Sequence, residues 1–138
     1  MSVSKCSILQ LPKINQPRGN ISVIESVNQI PFSIERTYYL YDVPAGTSRG
    51  GHAHKQLEQL IIAVAGSFEV ELDDGIDKKT FRLNKPFEGL YICPMVWREL
   101  HDFSSGSVCL VIASRPYEED DYIREYVDFS STAVTKAR

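Results

Sequence analysis

Two histidines one residue apart, His52 and His54, lie in the segment Arg49-Gly50-Gly51-His52-Ala53-His54-Lys55. The chain has three histidines, so this one spot holds most of its imidazole. A strand alternates its faces with a period of two, and positions i and i+2 point the same way. An extended segment here would send both rings into one cavity. Imidazole is the side chain best suited to move protons or hold a metal ion near neutral pH. A lone histidine on a strand reads as a hydrogen-bonded core residue. Two on one face, beside Arg49 and a Gly-Gly pair, read as a site.

The rest of the chain must supply the frame. Its 138 residues suit one domain, 1–138, with an ordinary core. A net charge of −3 leaves no basic footprint for nucleic acid or an anionic membrane. No apolar run has the length of a membrane span, and the start, Met1-Ser2-Val3-Ser4-Lys5, is too polar for a signal peptide. Cys6, Cys93 and Cys109 fit no metal or redox spacing, which points to a reduced, cytoplasmic setting.

Apolar residues fall in short runs divided by turn signals. The pattern predicts strands over 21–24, 33–42, 51–55, 58–65, 67–73, 78–83, 89–92, 97–103 and 108–114. Asp73-Asp74-Gly75 predicts a hairpin turn, and Gly66-Ser67 a second one. Strands at this spacing predict a closed or sandwiched all-β fold. The stretch 116–129 carries Tyr122, Ile123, Tyr126 and Phe129 at helical spacing behind an acidic start, so a short helical segment is expected there. Residues 130–138 are polar and are expected to fray.

Small β-barrels hold ligands in the mouth, lined by inward strand positions. Three sets of polar residues repeat on a single strand face: Arg36 and Tyr38; His52 and His54; Trp97, Glu99 and His101. The histidine segment resembles the first motif of the cupin superfamily, His-x-His followed by an acid and then a glycine. Counting back from Gly66 puts Gln59 at the acid position, with Glu58 one residue away. In the second motif Pro94 is followed by Val96 at the glycine position and Glu99 at the histidine position, with His101 two residues on. A neutral amide stands where a divalent cation wants a carboxylate. Glu58 would reach the site only through a one-residue slip that turns it to the other face. His101 remains a candidate third nitrogen ligand. The residues favour a metal-free site in which the histidines carry protons.

In finer detail the chain resembles the dTDP-4-keto-6-deoxyglucose 3,4-ketoisomerases. The blocks that carry the resemblance run in order from Arg18-Gly19 and Glu25, through 31–39, 49–59 and 72–75, to 97–104 and 121–124. Gly51 departs from it, where a bulkier residue is expected, and so does Arg98, where some relatives have histidine. The resemblance implies a cupin-type jelly-roll barrel with a short C-terminal helical segment. It implies an isomerase that moves a ketone from C4 to C3 of a dTDP-linked sugar through an enediol, with no metal and no cofactor, on the way to an aminated deoxysugar. It further implies a homodimer with exchanged N-terminal strands. On that expectation His52 is the C3 base, His54 relays or returns the second proton, and Tyr38 donates to an enediol oxygen. Arg36 and Arg49 hold the pyrophosphate, and Gln59, Trp97, Arg98 and His101 line the mouth. A sugar-nucleotide 3,5-epimerase, a metal-dependent cupin enzyme and a non-catalytic sugar-nucleotide-binding module stand as rivals.

Overall fold

The computed structural model describes residues 2–137, with side chains described through Ala133. Twelve strands and one helix follow a short 3-10 turn at Val3–Lys5. The strands are β1 (Ser7–Gln10), β2 (Ile14–Gln16), β3 (Gly19–Ile21), β4 (Arg36–Leu40), β5 (Arg49–His54), β6 (Gln59–Ala65), β7 (Phe68–Asp73), β8 (Lys78–Leu83), β9 (Glu88–Ile92), β10 (Trp97–His101), β11 (Val108–Ala113) and β12 (Tyr122–Ile123), and the helix is α1 (Tyr126–Ala137). One five-stranded sheet has the order β1-β9-β6-β11-β4 and the other β12-β5-β10-β7-β8. From β4 to β11 the strands pair first with last and inward from there: β4 with β11, β5 with β10, β6 with β9 and β7 with β8, all antiparallel. That nested pairing is a long hairpin wound on itself, the jelly-roll order of the cupin fold.

The alternation of side chains decides what faces what. Ile61, Val70, Leu72, Leu90, Ile92, Leu100 and Val111 from both sheets meet in the central core. At one end Phe68 and Phe103 stack with centroids 5.1 Å apart and close the sandwich. The other end is left to polar residues and stays open. Outside the first sheet, Leu60, Ile62 and Ile112 are covered by Leu11, Ile30 and Phe32. Outside the second, Ala53, Met95 and Trp97 are covered by Ile123, Phe129 and Ala133.

Three local expectations change. Gly66-Ser67 does not close a hairpin, because β6 and β7 lie in different sheets. It is the corner between them, and Gly66 has φ +70° with Ser104 Oγ 2.6 Å and Ser107 Cα 2.8 Å from where a Cβ would sit, so only glycine fits. The acidic run does not open a helix: Glu119–Asp121 form a 3-10 turn, and Tyr122–Ile123 add an edge strand to β5. The helix begins at Tyr126 and takes in residues 126–137, where a frayed tail from 130 was expected. Phe129 and Ala133, four residues apart, seat one face of that helix on Trp97 and Met95, which supplies the burial that the polar composition hides.

The N-terminal strand β1 pairs with β9 of its own chain. The hairpin β2–β3 belongs to neither large sheet, and all six of its residues are exposed. No helix among the described residues is long and apolar enough to cross a membrane.

Candidate active site

The open end of the sandwich is a cleft with two parts. An inner pocket of about 110 Å³ is lined by residues that include Tyr38, Arg49, Gly50, His52, Gln59 and Arg98. A vestibule of about 460 Å³ shares Tyr38, Arg49, Gly50 and His52 with it and adds Arg36, Tyr117, Tyr122 and Arg124. The cleft therefore unites His52, Tyr38, Arg36, Arg49, Gln59 and Arg98 of the residues expected from sequence.

His52 reaches the cleft because β5 bulges. Arg98 pairs with His52 and Glu99 with Gly50, so Gly51 has no partner on β10. Gly50 and Gly51 have φ of +98° and +89°, values that strain any side chain. A bulge of this kind re-aims the neighbouring side chain toward a site. The missing bulk at Gly51 is thus a condition of the bulge: a Cβ there would lie 3.6 Å from Trp97 Cζ2 with its backbone strained.

The two histidines do not share the cleft equally. Their rings meet edge to face at 89°, with centroids 4.9 Å apart. His54 is 0% exposed and lies behind His52, with its Nδ1 3.4 Å from Asp121 Oδ2. Asp121 is itself fixed by accepting from the backbone N–H of Gln56 and Leu57 at 2.8 and 3.3 Å. Burial, then the Arg98 guanidinium, drives the His54 pKa far below the ordinary imidazole value. His52 is pulled down to about 3, by burial first and then by Arg98, Arg124 and Arg36. Both rings are neutral at pH 7, and Nε2 of His52 is buried without a protein partner among the described residues. A neutral ring with a free nitrogen is the form a general base requires.

The floor of the cleft holds an unusual group. Arg98 is 1% exposed and has no carboxylate beside it among the described residues. Its Nη1 donates to Gln59 Oε1 and its Nη2 to Val96 O at 2.9 Å. Gln59 Nε2 in turn donates to Tyr38 Oη at 3.4 Å. Burial pushes the Arg98 pKa down to about 10, still charged at pH 7. The amide at position 59 is therefore matched to a guanidinium, and a cation at that place would meet Arg98 first. Glu58 points the other way, where its Oε1 accepts from the Tyr91 hydroxyl at 2.6 Å.

Trp97 and His101 lie outside the cleft. Arg98 and Leu100 pair with Leu72 and Val70 and share their inward face, so Trp97, Glu99 and His101 point outward. Trp97 packs against Tyr126 and Phe129 of α1, with centroids 5.3 and 5.7 Å away, and donates to Glu99 Oε2 at 3.0 Å. His101 meets Ser48 Oγ at 3.0 Å and lies 3.9 Å from Glu71. The polar alternation on β10 faces outward, because the C-terminal helical segment packs on Trp97 and buries it from outside the sheet.

Comparison with known proteins fits this geometry. The family model described as FdtA: WxcM-like, C-terminal matches residues 4–134. The chain belongs to this family. It is 47% identical over 122 residues to the TDP-4-oxo-6-deoxy-alpha-D-glucose-3,4-oxoisomerase of Aneurinibacillus thermoaerophilus, which covers 88% of each protein. Its fold is similar to that of a histidine-to-asparagine mutant of the 3,4-ketoisomerase QdtA from Thermoanaerobacterium thermosaccharolyticum in complex with TDP-4-keto-6-deoxyglucose, at TM-score 0.92 and 39% identity over 95% of each chain. It is also similar to a 3,4-ketoisomerase from Helicobacter canadensis, at TM-score 0.91 and 43% identity over 94% of this chain and 97% of that one. Like these relatives, this FdtA-family chain is a sugar-nucleotide isomerase.

Sequence reasoning missed Tyr117, Tyr122 and Arg124 of the vestibule. Helical spacing hid them, since Tyr122 and Ile123 also suited an amphipathic turn. The usable signal was a period of two: Asp121 and Ile123 are buried, while Tyr122 and Arg124 turn outward to the cleft.

Proposed function

We propose that this chain moves the ketone of TDP-4-keto-6-deoxyglucose from C4 to C3, with His52 as the base. The observation that carries this is the cleft lining. His52 is its one imidazole, and every permanently charged group around it is a guanidinium. Such a cleft suits an anionic substrate that must lose a carbon-bound proton. Arg36 and Arg49 at the mouth would take the diphosphate, since guanidinium binds phosphate oxygens in a two-pronged way.

The C3 proton is acidic because the C4 carbonyl lies next to it. His52 removes that proton, and the electron pair forms the enediol. The charge that develops on O4 falls near Tyr38 and Arg98, whose N–H and O–H groups are already fixed by Gln59. The C3 hydroxyl proton passes to O4 through Tyr38, and C4 takes a proton from the His52 imidazolium. The product holds its carbonyl at C3, and the sugar neither gains nor loses electrons. His54 acts through His52. Full burial keeps it from the sugar, so its part is to hold the His52 ring and keep it dry.

We further propose a cytoplasmic homodimer. Free thiols at Cys6, Cys93 and Cys109 suit a reducing compartment. Ile14 and Ile21 on the β2–β3 hairpin, each 46% exposed, suit a cover from a second copy whose N-terminal segment is exchanged. Light-scattering mass in solution tests the dimer.

Incubation with the keto sugar in heavy water tests the chemistry. NMR should show the carbonyl at C3 and deuterium on the ring. His52→Asn should slow conversion by about 100- to 10,000-fold with the fold intact. Conversion at the normal rate in that variant would remove His52 from the reaction.

A further inference from the structure

Cys6 and Cys93 meet at the edge of the first sheet. Cys6 stands one residue before β1 and Cys93 one residue after β9, and these strands run antiparallel with Ser7 opposite Tyr91. The pairing joins two thiols that are 87 residues apart in sequence: Sγ lies 3.7 Å from Sγ, within hydrogen-bond reach for sulfur. Both are free thiols, each 3% exposed, and both belong to the central core. Neither lines the cleft, so the isomerisation leaves them without a role.

The Val3–Lys5 turn caps the pair. Ser2 O lies 3.6 Å from Cys93 Sγ, and Val3 N–H donates to Asp74 Oδ2 at 2.8 Å. Lys5 N–H and Cys6 N–H close the turn on Ser2 O and Val3 O, each at 3.0 Å. A single 3-10 turn opens locally while the sheet behind it stays folded, which lets a small oxidant reach the sulfurs. The two thiols are not equivalent. Contact with the Cys6 thiol brings Cys93 down to about 7 against the opposing effect of burial. The same contact, and then burial, raises Cys6. Cys93 therefore carries the thiolate and Cys6 the proton. Cys109, on β11, has no such neighbour among the described residues, and burial pushes it up to about 12.

We propose that Cys6 and Cys93 are a dithiol site that hydrogen peroxide converts reversibly to a disulfide, with Cys93 attacking and Cys6 resolving. The Cys93 sulfur attacks one peroxide oxygen: an S–O bond forms, the O–O bond breaks, and the second oxygen leaves as water. The Cys6 sulfur then attacks the Cys93 sulfenic acid: the S–S bond forms, the S–O bond breaks, and the Cys6 proton leaves in a second water. The two thiols lose two electrons, and the peroxide gains them. The sulfurs close from 3.7 Å to about 2.0 Å, and the cap is the side free to move. The bond staples the cap and β1 to the β9–β10 connection, whose Met95 N–H donates to His54 O at 2.7 Å. In a reducing compartment, thiols of the glutathione class return the pair to its resting state.

The test treats the reduced protein with a small molar excess of hydrogen peroxide and counts thiols in denaturant. The wild type should fall from three free thiols to one, regain them with dithiothreitol, and yield the Cys6–Cys93 disulfide peptide by mass. Oxidation should raise the melting temperature by about 5–15 °C, because it closes a long loop. Cys6→Ala should stop at a Cys93 sulfenic acid that dimedone traps, and Cys93→Ala should slow the oxidation of Cys6 by at least about 10-fold. Cys109→Ala should form the disulfide at the wild-type rate. A melt of each reduced variant checks its fold, and the wild-type peptide map decides the pairing without any variant. On a non-reducing gel the bond within one chain leaves a monomer band; the same bond in a dimer band supports the pair equally and means that β1 is exchanged between copies. Three thiols persisting after peroxide, a disulfide that includes Cys109, or sulfinic acid at Cys93 with Cys6 still free overturns the proposal. An unchanged melting temperature overturns the staple. No dimedone adduct in Cys6→Ala, or unslowed oxidation in Cys93→Ala, overturns the order of attack.

Discussion

Taking the pH from 7 to 5 should cost this fold about 4 kcal/mol of stability through its paired histidines. His54 is fully buried, and burial followed by Arg98 keeps its ring neutral far below the usual imidazole range. His52 titrates at about 3 under burial and the Arg98, Arg124 and Arg36 charges. In the unfolded chain both rings titrate near ~6.5. Between those limits the unfolded state binds protons that the folded state refuses. Stability is whole above about pH 6.5 and falls as the pH drops toward the folded values. From pH 7 to 5 the linkage gives about 2 kcal/mol for each ring, and the sum does not depend on the folded value once it lies below 5. His52 touches the cleft, so solvent screening makes its share the upper limit. A domain stable by roughly 5–15 kcal/mol would feel this loss plainly. Urea unfolding at pH 7 and pH 5 and constant ionic strength reads it as a shift in midpoint at constant slope. His54→Gln and His52→Asn should each remove about half of the pH dependence. Equal stability of the wild type at both pH values, or an NMR titration placing either ring near 6.5 in the empty protein, would refute the reasoning.

Two further outcomes follow from the same geometry. Tyr38→Phe removes the hydroxyl that Gln59 holds, and should lower kcat by about 10- to 100-fold with little change in KM, measured by steady-state kinetics. Trp97→Phe should lower stability by about 1–2 kcal/mol in urea unfolding, yet leave TDP affinity and turnover at wild-type values, because the ring packs under α1 and not in the cleft.

The body of the fold was readable because its strands carry their own signals. β6 to β11 lie within one or two residues of the ranges that alternation and turn residues predict. Elements that depend on tertiary partners were readable only in part: a C-terminal helical segment was expected, but neither its bounds nor the edge strand before it. β12 is two residues long and exists because β5 offers it an edge, and α1 is held by Trp97 from beneath. The site divides in the same way. Tyr38 and Gln59 are fixed by strand parity, which sequence shows directly, and His52 by parity together with the Gly50-Gly51 bulge. Parity on β10 could be set only by knowing that Leu100 meets Val70 in the core, and without that pairing Trp97 and His101 were placed in the cleft and Arg98 was given no special weight. His54 shares parity with His52, but parity does not report depth: β12 lies over it and closes it off.

The positive cleft and the neutral histidine belong to one device. With the site empty, burial first and then Arg98, Arg124 and Arg36 hold the His52 pKa down to about 3, too low for strong basicity. A diphosphate seated among the arginines would offset two of those charges and raise the basicity of His52 when a substrate is present. Arg98 would keep its charge at the floor, beyond reach of the phosphates, because Gln59 and Val96 satisfy it without cancelling it. That is the charge an enediolate oxygen needs. A carboxylate at position 59 would neutralise Arg98 and remove it. On the proposed reaction, the amide that spoils the metal motif would keep an uncompensated guanidinium available to the intermediate, and the burial of Arg98 would be the cost the fold bears for it.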